Sequence, residues 1–333
     1  MTLATIVLLA ACALPPRPPD GVIPAGDFTV HLQHDGRSRR YLVHVPSARD
    51  ATVPRPVVIV LHGAADDAVE NRTWLNLDEV ADREGFIALY PDGTGPFSDR
   101  LHMWNSGACC GSAQWGTVDD VGFVLAMLDD VAERTPVDAT RVYVTGLSNG
   151  GMMAYRLAAE ASDRIAAIAP VAGATAAVLG DDVRTMPVLH VHSIDDRVVP
   201  YAGGETTIVP LVYSIPHPPV EEVVRTWALH DRCPESPSDV TPWSAAGDGA
   251  LDSQSVRRTT WSPCADGTEV VLMRLRGVGH VWPGSASTFR SLFVGPSTSV
   301  IDVREEMWRF FKRFTRPEAT SSGRIAPRSI ARS

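Results

Sequence analysis

Five short apolar stretches limit the fold more than any other feature: residues 57–61, 86–90, 141–145, 165–171 and 187–192. Each is too continuously apolar for a strand with one wet face, so each reads as a strand buried on both sides within a parallel sheet. Between them apolar residues recur at helical spacing, over 69–83, 118–133 and 149–161. In the second of these Val121, Val124, Leu125, Leu128 and Val131 form one stripe. Strand and helix alternating in this way predict a doubly wound, mostly parallel α/β sheet with helices on both faces. Residues 28–33 and 40–45 alternate instead, around the turn signal His34-Asp35-Gly36, and predict a hairpin at a sheet edge. A helix over 220–229, a strand over 269–275 and a last helix over 303–314 continue the scheme. No repeat and no Gly/Ser or charged linker divides the 333 residues, so one large domain over 26–315 is expected, followed by a disordered tail from 316 to 333.

A net charge of -9 leaves no basic field for nucleic acid, whose binding depends on releasing counterions from phosphates. Of 30 basic residues only Lys312 is a lysine, a pattern of coding bias that warns against reading single arginines as carboxylate or phosphate forks. Leu3 to Ala11 is a nine-residue apolar run, too short to span a bilayer and close to the core of an export signal. It ends in Leu9-Ala10-Ala11-Cys12, which resembles a bacterial lipobox. Residues 1–11 are therefore expected to be a signal peptide, Cys12 a lipidated N-terminus, and 12–25 a Pro-rich tether to a membrane. Cleavage after Ala13 and plain secretion is the alternative. No Lys or Arg precedes the run, so its n-region is atypical or Met1 lies downstream of the true start. Cys233 and Cys264 flank a stretch poor in apolar residues, which a disulfide between them would close. The adjacent Cys109 and Cys110 are expected either to form a disulfide, with each other or elsewhere, or to stay as buried thiols.

The chemistry concentrates in three places. Thr145-Gly146-Leu147-Ser148-Asn149-Gly150-Gly151 lies between a predicted strand and a predicted helix, the setting of a nucleophile elbow that exposes a serine hydroxyl at a helix N-terminus. In α/β hydrolases an acid and then a histidine follow in the chain. After the strand 187–192 come Asp195 and Asp196; Asp196, followed by Arg-Val-Val-Pro, is taken as the acid and Asp195 as a turn residue. His280, in Gly277-Val278-Gly279-His280, follows the strand 269–275 and is taken as the base. His190 and His192 precede the acid within a strand and read as core or supporting residues. His62-Gly63-Ala64-Ala65 ends an early strand, where the backbone N–H of Ala64 would join that of Asn149 in an oxyanion hole, with His62 bracing the turn. Asp119 and Asp120 suit the capping of the helix they open. Trp104 and Trp282 are candidates for walls of a substrate pocket. No HExxH or paired CxxC pattern suggests a metal and no GxGxxG follows the first strand, so neither metal nor other cofactor is expected.

Taken together, PVVIVLHG (56–63), YPDGTG (90–95), MWNSGACCG (103–111), VDDVGFV (118–124), RVYVTGLSNGGMMAYRLA (141–158), HVHSIDDRVVPY (190–201) and GHVWPG (279–284) resemble the poly(3-hydroxybutyrate) depolymerase-like esterases, relatives of feruloyl and acetylxylan esterases of carbohydrate esterase family 1. The resemblance spans about residues 25–315. It implies the α/β-hydrolase fold, a Ser148-Asp196-His280 triad without cofactor, and a small or polysaccharide-linked ester as substrate. Two positions depart from the family pattern: Ala64-Ala65-Asp66 follows His62-Gly63, and Ser193 replaces a usual glycine. The competing readings are a peptidase or acyltransferase on the same fold, and a catalytically idle surface lipoprotein that only binds.

Overall fold

A computed structural model describes residues 14–47, 52–95, 101–107, 109, 117–175, 179–205, 215–245, 254–286 and 294–317. β1 (Gly26–His34) and β2 (Arg37–Val45) pair antiparallel with His34 opposite Arg37. The turn between them is Asp35 and Gly36, both at positive φ, the geometry that matches the twist of paired strands. β3 (Arg55–Leu61), β4 (Ile87–Pro91), β5 (Val137–Leu147), β6 (Ala167–Val171) and β7 (Val188–Ser193) follow. β8 (Gly204–Glu205) and β9 (Pro216–His217) form a small separate pair. β10 (Asp239–Val240), β11 (Ser244–Ala245), β12 (Ser255–Trp261) and β13 (Val270–Arg276) return to the main sheet.

Among the described residues this sheet has eleven strands, in the order β1-β2-β4-β3-β5-β6-β7-β13-β12-β10, with β11 on β12. Its centre, from β4 through β3, β5, β6 and β7 to β13, is parallel, and antiparallel strands flank it on both sides. Every residue of β3, β4, β6 and β7 is buried; β4 and β6 run apolar throughout and β3 does so from Pro56, whereas β7 carries His190, His192 and Ser193.

Among the described residues, three helices pack on each face. α1 (Ala68–Leu75), α2 (Asp78–Glu84) and α6 (Val303–Phe311) pack Leu75, Val80, Met307 and Phe311 on one side. α3 (Asp120–Arg134), α4 (Asn149–Glu160) and α5 (Val220–His230) pack Phe123, Met127, Met153, Leu157, Val224 and Trp227 on the other. The doubly wound arrangement expected from the strand and helix pattern is thus the one observed. One helix differs: the pattern over 69–83 is two helices, because Asn76 turns left-handed (φ 50) and its N–H caps Arg72 O, after which Asp78 starts a new turn.

Part of the expected tether is fastened to the domain. Thr29 donates through N to Pro16 O (2.8 Å) and through Oγ1 to Pro15 O (2.6 Å), and Ile23, 1% exposed, donates to Arg134 O. Residues 15, 16 and 23 therefore touch β1 and α3. Cys12 and the signal segment lie outside the described residues, as do positions 318–333 of the tail; Arg316, at the tail's start, donates to Thr140 O. No helix among the described residues is long and apolar enough to cross a membrane. Cys233 and Cys264 are bonded, with Cα atoms 4.1 Å apart, and the segment they close contributes β10, β11 and β12 to the sheet. Cys109 is also in a disulfide, which removes the free-thiol alternative for it; Cys110 lies outside the described residues.

The two acids that open α3 divide their roles. Asp119 caps the helix, its Oδ1 accepting from Gly122 N (2.9 Å). Asp120 turns inward to Arg39 (2.7 Å), their side chains 0% and 2% exposed, and accepts from Asn105 N. Arg39 also donates to Asp92 O and lies 3.8 Å from the centre of the Phe123 ring. The capping role expected for Asp120 is corrected here: its two oxygens go to Arg39 and Asn105 N. Removing one partner of such a pair strands a charge in a dry interior, so Arg39→Ala should cost about 3–5 kcal/mol in denaturant unfolding. Replacing both residues with apolar ones, Arg39→Met with Asp120→Leu, should cost far less, and equal losses would show that the pair is not what holds this corner.

Candidate active site

Ser148 joins β5 to α4 with φ 58 and ψ -120, a conformation that side chains rarely adopt and that surrounding structure must impose. The constraint comes from close packing at two glycines. A Cβ on Gly146 would lie 2.4 Å from the backbone of Gly150, and one on Gly150 would lie 2.3 Å from Leu61 O. Only at glycine can the ends of β5 and β3 and the start of α4 approach so closely. The Ser148 N–H is held by Val171 O at 2.9 Å, while its side chain is left partly accessible at the head of the helix.

β7 and β13 run parallel to β5 in the same sheet, so the loops that follow all three emerge at one edge. There His280 Nδ1 meets Asp196 Oδ2 at 2.7 Å. The other oxygen of Asp196 accepts from Val198 N (2.8 Å) and Val199 N (3.0 Å). Burial alone would raise the pKa of Asp196 and favour its neutral form, yet His280 and His192 with their hydrogen bonds outweigh it and hold the carboxyl well below its usual range. An ionised carboxylate only accepts, so a neutral His280 carries its proton on Nδ1 and leaves the lone pair on Nε2. It is Asp196, not Asp195, that meets the imidazole. Asp195 accepts from Gly277 N (2.7 Å) and so ties its own turn to the histidine loop. Ser193 does the same from the end of β7: its hydroxyl donates to Val278 O at 2.6 Å. A glycine there would lack that bond, a role the residue pattern alone had not suggested.

The turn after β3 abuts the serine, since a Cβ on Gly63 would lie 3.7 Å from Ser148 Cβ. This brings Ala64 beside the elbow, and Asn149, as the first residue of α4, has a backbone N–H with no acceptor inside the helix. The side chain of Asn149 has a second role: Oδ1 accepts from Trp104 N (2.7 Å) and Nδ2 donates to Trp104 O (3.1 Å), which clamps the 103–106 segment to the elbow. The two tryptophans do not wall a pocket. Trp104 is 0% exposed and donates Nε1 to His62 O; Trp282 is 0% exposed and donates to Asn71 Oδ1. Each has its polar atom satisfied by protein and its rings packed in the core, so both are braces.

His62, Asp92 and His102 converge closely enough to suggest a metal site. Their donor atoms are already engaged. His62 donates through Nδ1 to Gly63 O (2.7 Å) and accepts at Nε2 from Gly93 N (2.9 Å), and burial lowers its pKa to about 4. Asp92 accepts from Ala68 N and pairs with Arg40 and His102. The cluster braces the turn beside Ser148.

A family model described as Esterase PHB depolymerase matches residues 40–215, more than half of the chain. NocK of Nocardia uniformis subsp. tsuyamanensis, described as an esterase, is 28% identical over 322 residues, which cover 89% of this chain and 92% of that protein. The bifunctional acetylxylan esterase/xylanase XynS20E of Neocallimastix patriciarum is 26% identical over 245 residues, covering 73% of this chain and only 31% of that protein. Among solved structures, an acetyl xylan esterase from Aspergillus awamori shares the fold with a TM-score of 0.53 and 15% identity, over 85% of this chain and 98% of that one. With its mostly parallel sheet and elbow, the chain belongs to the esterase PHB depolymerase family and is by class a carboxylic-ester hydrolase.

Proposed function

We propose that Ser148, His280 and Asp196 form the catalytic triad of an exported serine esterase acting on short acyl esters such as acetyl or feruloyl groups on sugars, or hydroxyalkanoate esters. The observation that carries this reading is the 2.7 Å pair between His280 Nδ1 and buried Asp196, on the sheet edge where the strained elbow presents Ser148. Ser148 Oγ attacks the ester carbonyl as His280 Nε2 takes its proton. The carbonyl oxygen becomes an oxyanion facing the N–H groups of Asn149 and Ala64, each donor contributing about 3 kcal/mol to the transition state. Collapse breaks the ester C–O bond, and the leaving alcohol takes the proton back from His280. Water, deprotonated by His280, then cleaves the acyl-serine and releases the acid. The relatives' names support acetylated polysaccharide among the candidate substrates. Export, with Cys12 lipidated and 1–11 removed, completes the proposal, and the mass of the mature N-terminus tests that part.

A fluorophosphonate probe should label Ser148 alone. In a panel of nitrophenyl acetate, methyl ferulate, acetylated xylan oligomers and peptides, the esters should turn over and the peptides should not. Labelling at another serine would remove the nucleophile assignment, and turnover of peptides alone would replace esterase by peptidase.

A further inference from the structure

Asp196 has a second histidine neighbour that an esterase triad does not require. His192 Nε2 lies 3.5 Å from Asp196 Oδ2, the same oxygen that meets His280, and 2.9 Å from Val199 O. Its Nδ1 lies 3.1 Å from His190 Nε2, and His190 Nδ1 lies 2.7 Å from the Tyr155 hydroxyl. All three rings are buried, and His190 stacks on both of its neighbours. Tyr155 lies on α4, seven residues beyond Ser148, so the row runs from the nucleophile's own helix across β7 to the acid's loop.

The proton positions follow from one atom. A carbonyl oxygen accepts and cannot donate, so His192 Nε2 carries a proton aimed at Val199 O and Asp196. The Nδ1 of a neutral His192 must then accept from His190 Nε2, which leaves His190 Nδ1 to accept from the Tyr155 hydroxyl. Burial keeps His190 well below its usual pKa and raises that of Tyr155, so both stay neutral. Every donor in the row points toward Asp196.

We propose that His192, locked in this tautomer by His190 and Tyr155, is a positioning residue: its Nε2–H fixes Asp196 against Val199 and weakens the pull of that carboxylate on His280. The proposal rests on the assignment of Ser148, His280 and Asp196 to the triad. The other groups that face Asp196 are His280, from the loop after β13, and His217 on β9, which lies near enough to Asp196, His192 and His280 for their charges to act on it. Asp195 is adjacent and engaged with Gly277 N. Without the His192 N–H more of the carboxylate's charge would act on His280 and stabilise its imidazolium. The acidic limb of kcat/KM would then move to higher pH.

The test compares full-length wild type with His192→Phe and His192→Leu, which remove the N–H, and His192→Gln, which keeps one. Nitrophenyl acetate is the substrate, and rates are expressed per serine titrated with fluorophosphonate. The two removals should shift the acidic limb upward by about half to one pH unit and lower kcat about tenfold with KM within about twofold, while His192→Gln returns the limb toward wild type. An unmoved limb in both removals, or His192→Gln shifted as far as His192→Phe, would overturn the proposal. So would failure of both removals to yield any titratable serine, since His192 would then be a structural residue. Failure of the triad assignment itself shows separately, as absence of label from Ser148 in the wild type.

Discussion

Ser148→Ala and His280→Ala should each lower kcat on a nitrophenyl ester by about 10⁴-fold or more, and the double variant should be no slower than the worse single one. The losses do not add because attack needs the hydroxyl and its base at the same instant, so removing either leaves only what binding and the N–H donors contribute. Stability should hardly change. Alanine at position 148 keeps a Cβ at φ 58 and so inherits the serine's strain without adding to it, and His280 contributes one side-chain bond at a loop. Matched thermal melts and near-ultraviolet spectra, with rates measured on protein free of wild-type carry-over, separate the two effects. A residual rate of a few per cent in Ser148→Ala would end its assignment as nucleophile.

The meeting of His280 with Asp196 at the sheet edge that carries Ser148 was legible because each residue sits just past a strand whose apolar run marks it, and the sheet needs no long-range information to align parallel strand ends at one edge. The same logic made the central strands readable, since burial on both faces leaves a largely apolar run. What was not legible depends on partners far away in sequence. Asp120 beside Asp119 reads as a second cap until β2 brings Arg39 to it from 81 residues away. Trp104 and Trp282 adjoin site motifs, but adjacency along the chain does not say which side of the backbone a ring occupies, and both point into the core. His190 and His192 alternate correctly for one face of β7, yet their polar role appears only when Tyr155 and Val199 close the row at its two ends. The break at Asn76 was hidden for a local reason: apolar positions on either side keep helical spacing, and a single left-handed residue leaves that spacing almost unchanged.

Asp196→Asn should cost about 10⁴-fold in kcat, and Asp195→Asn less than about tenfold. The contrast follows from which way the new amide must face. Val198 N and Val199 N both donate to the Oδ1 position of residue 196, so an asparagine there keeps its oxygen toward them and turns its NH₂ toward His280 and His192. The NH₂ can only donate, which compels His280 to accept at Nδ1 and carry its proton on Nε2. In that tautomer Nε2 has no lone pair for the Ser148 proton. The same NH₂ also confronts the His192 N–H at the site of a former acceptor. Residue 195 has no such conflict, because an asparagine can still offer its oxygen to Gly277 N. In the wild type the carboxyl of Asp196 is held well below its usual range, so it stays ionised throughout the working range. Measured side by side, kcat/KM of the two variants decides the matter: if Asp195→Asn is the more damaging change, Asp196 is not the acid.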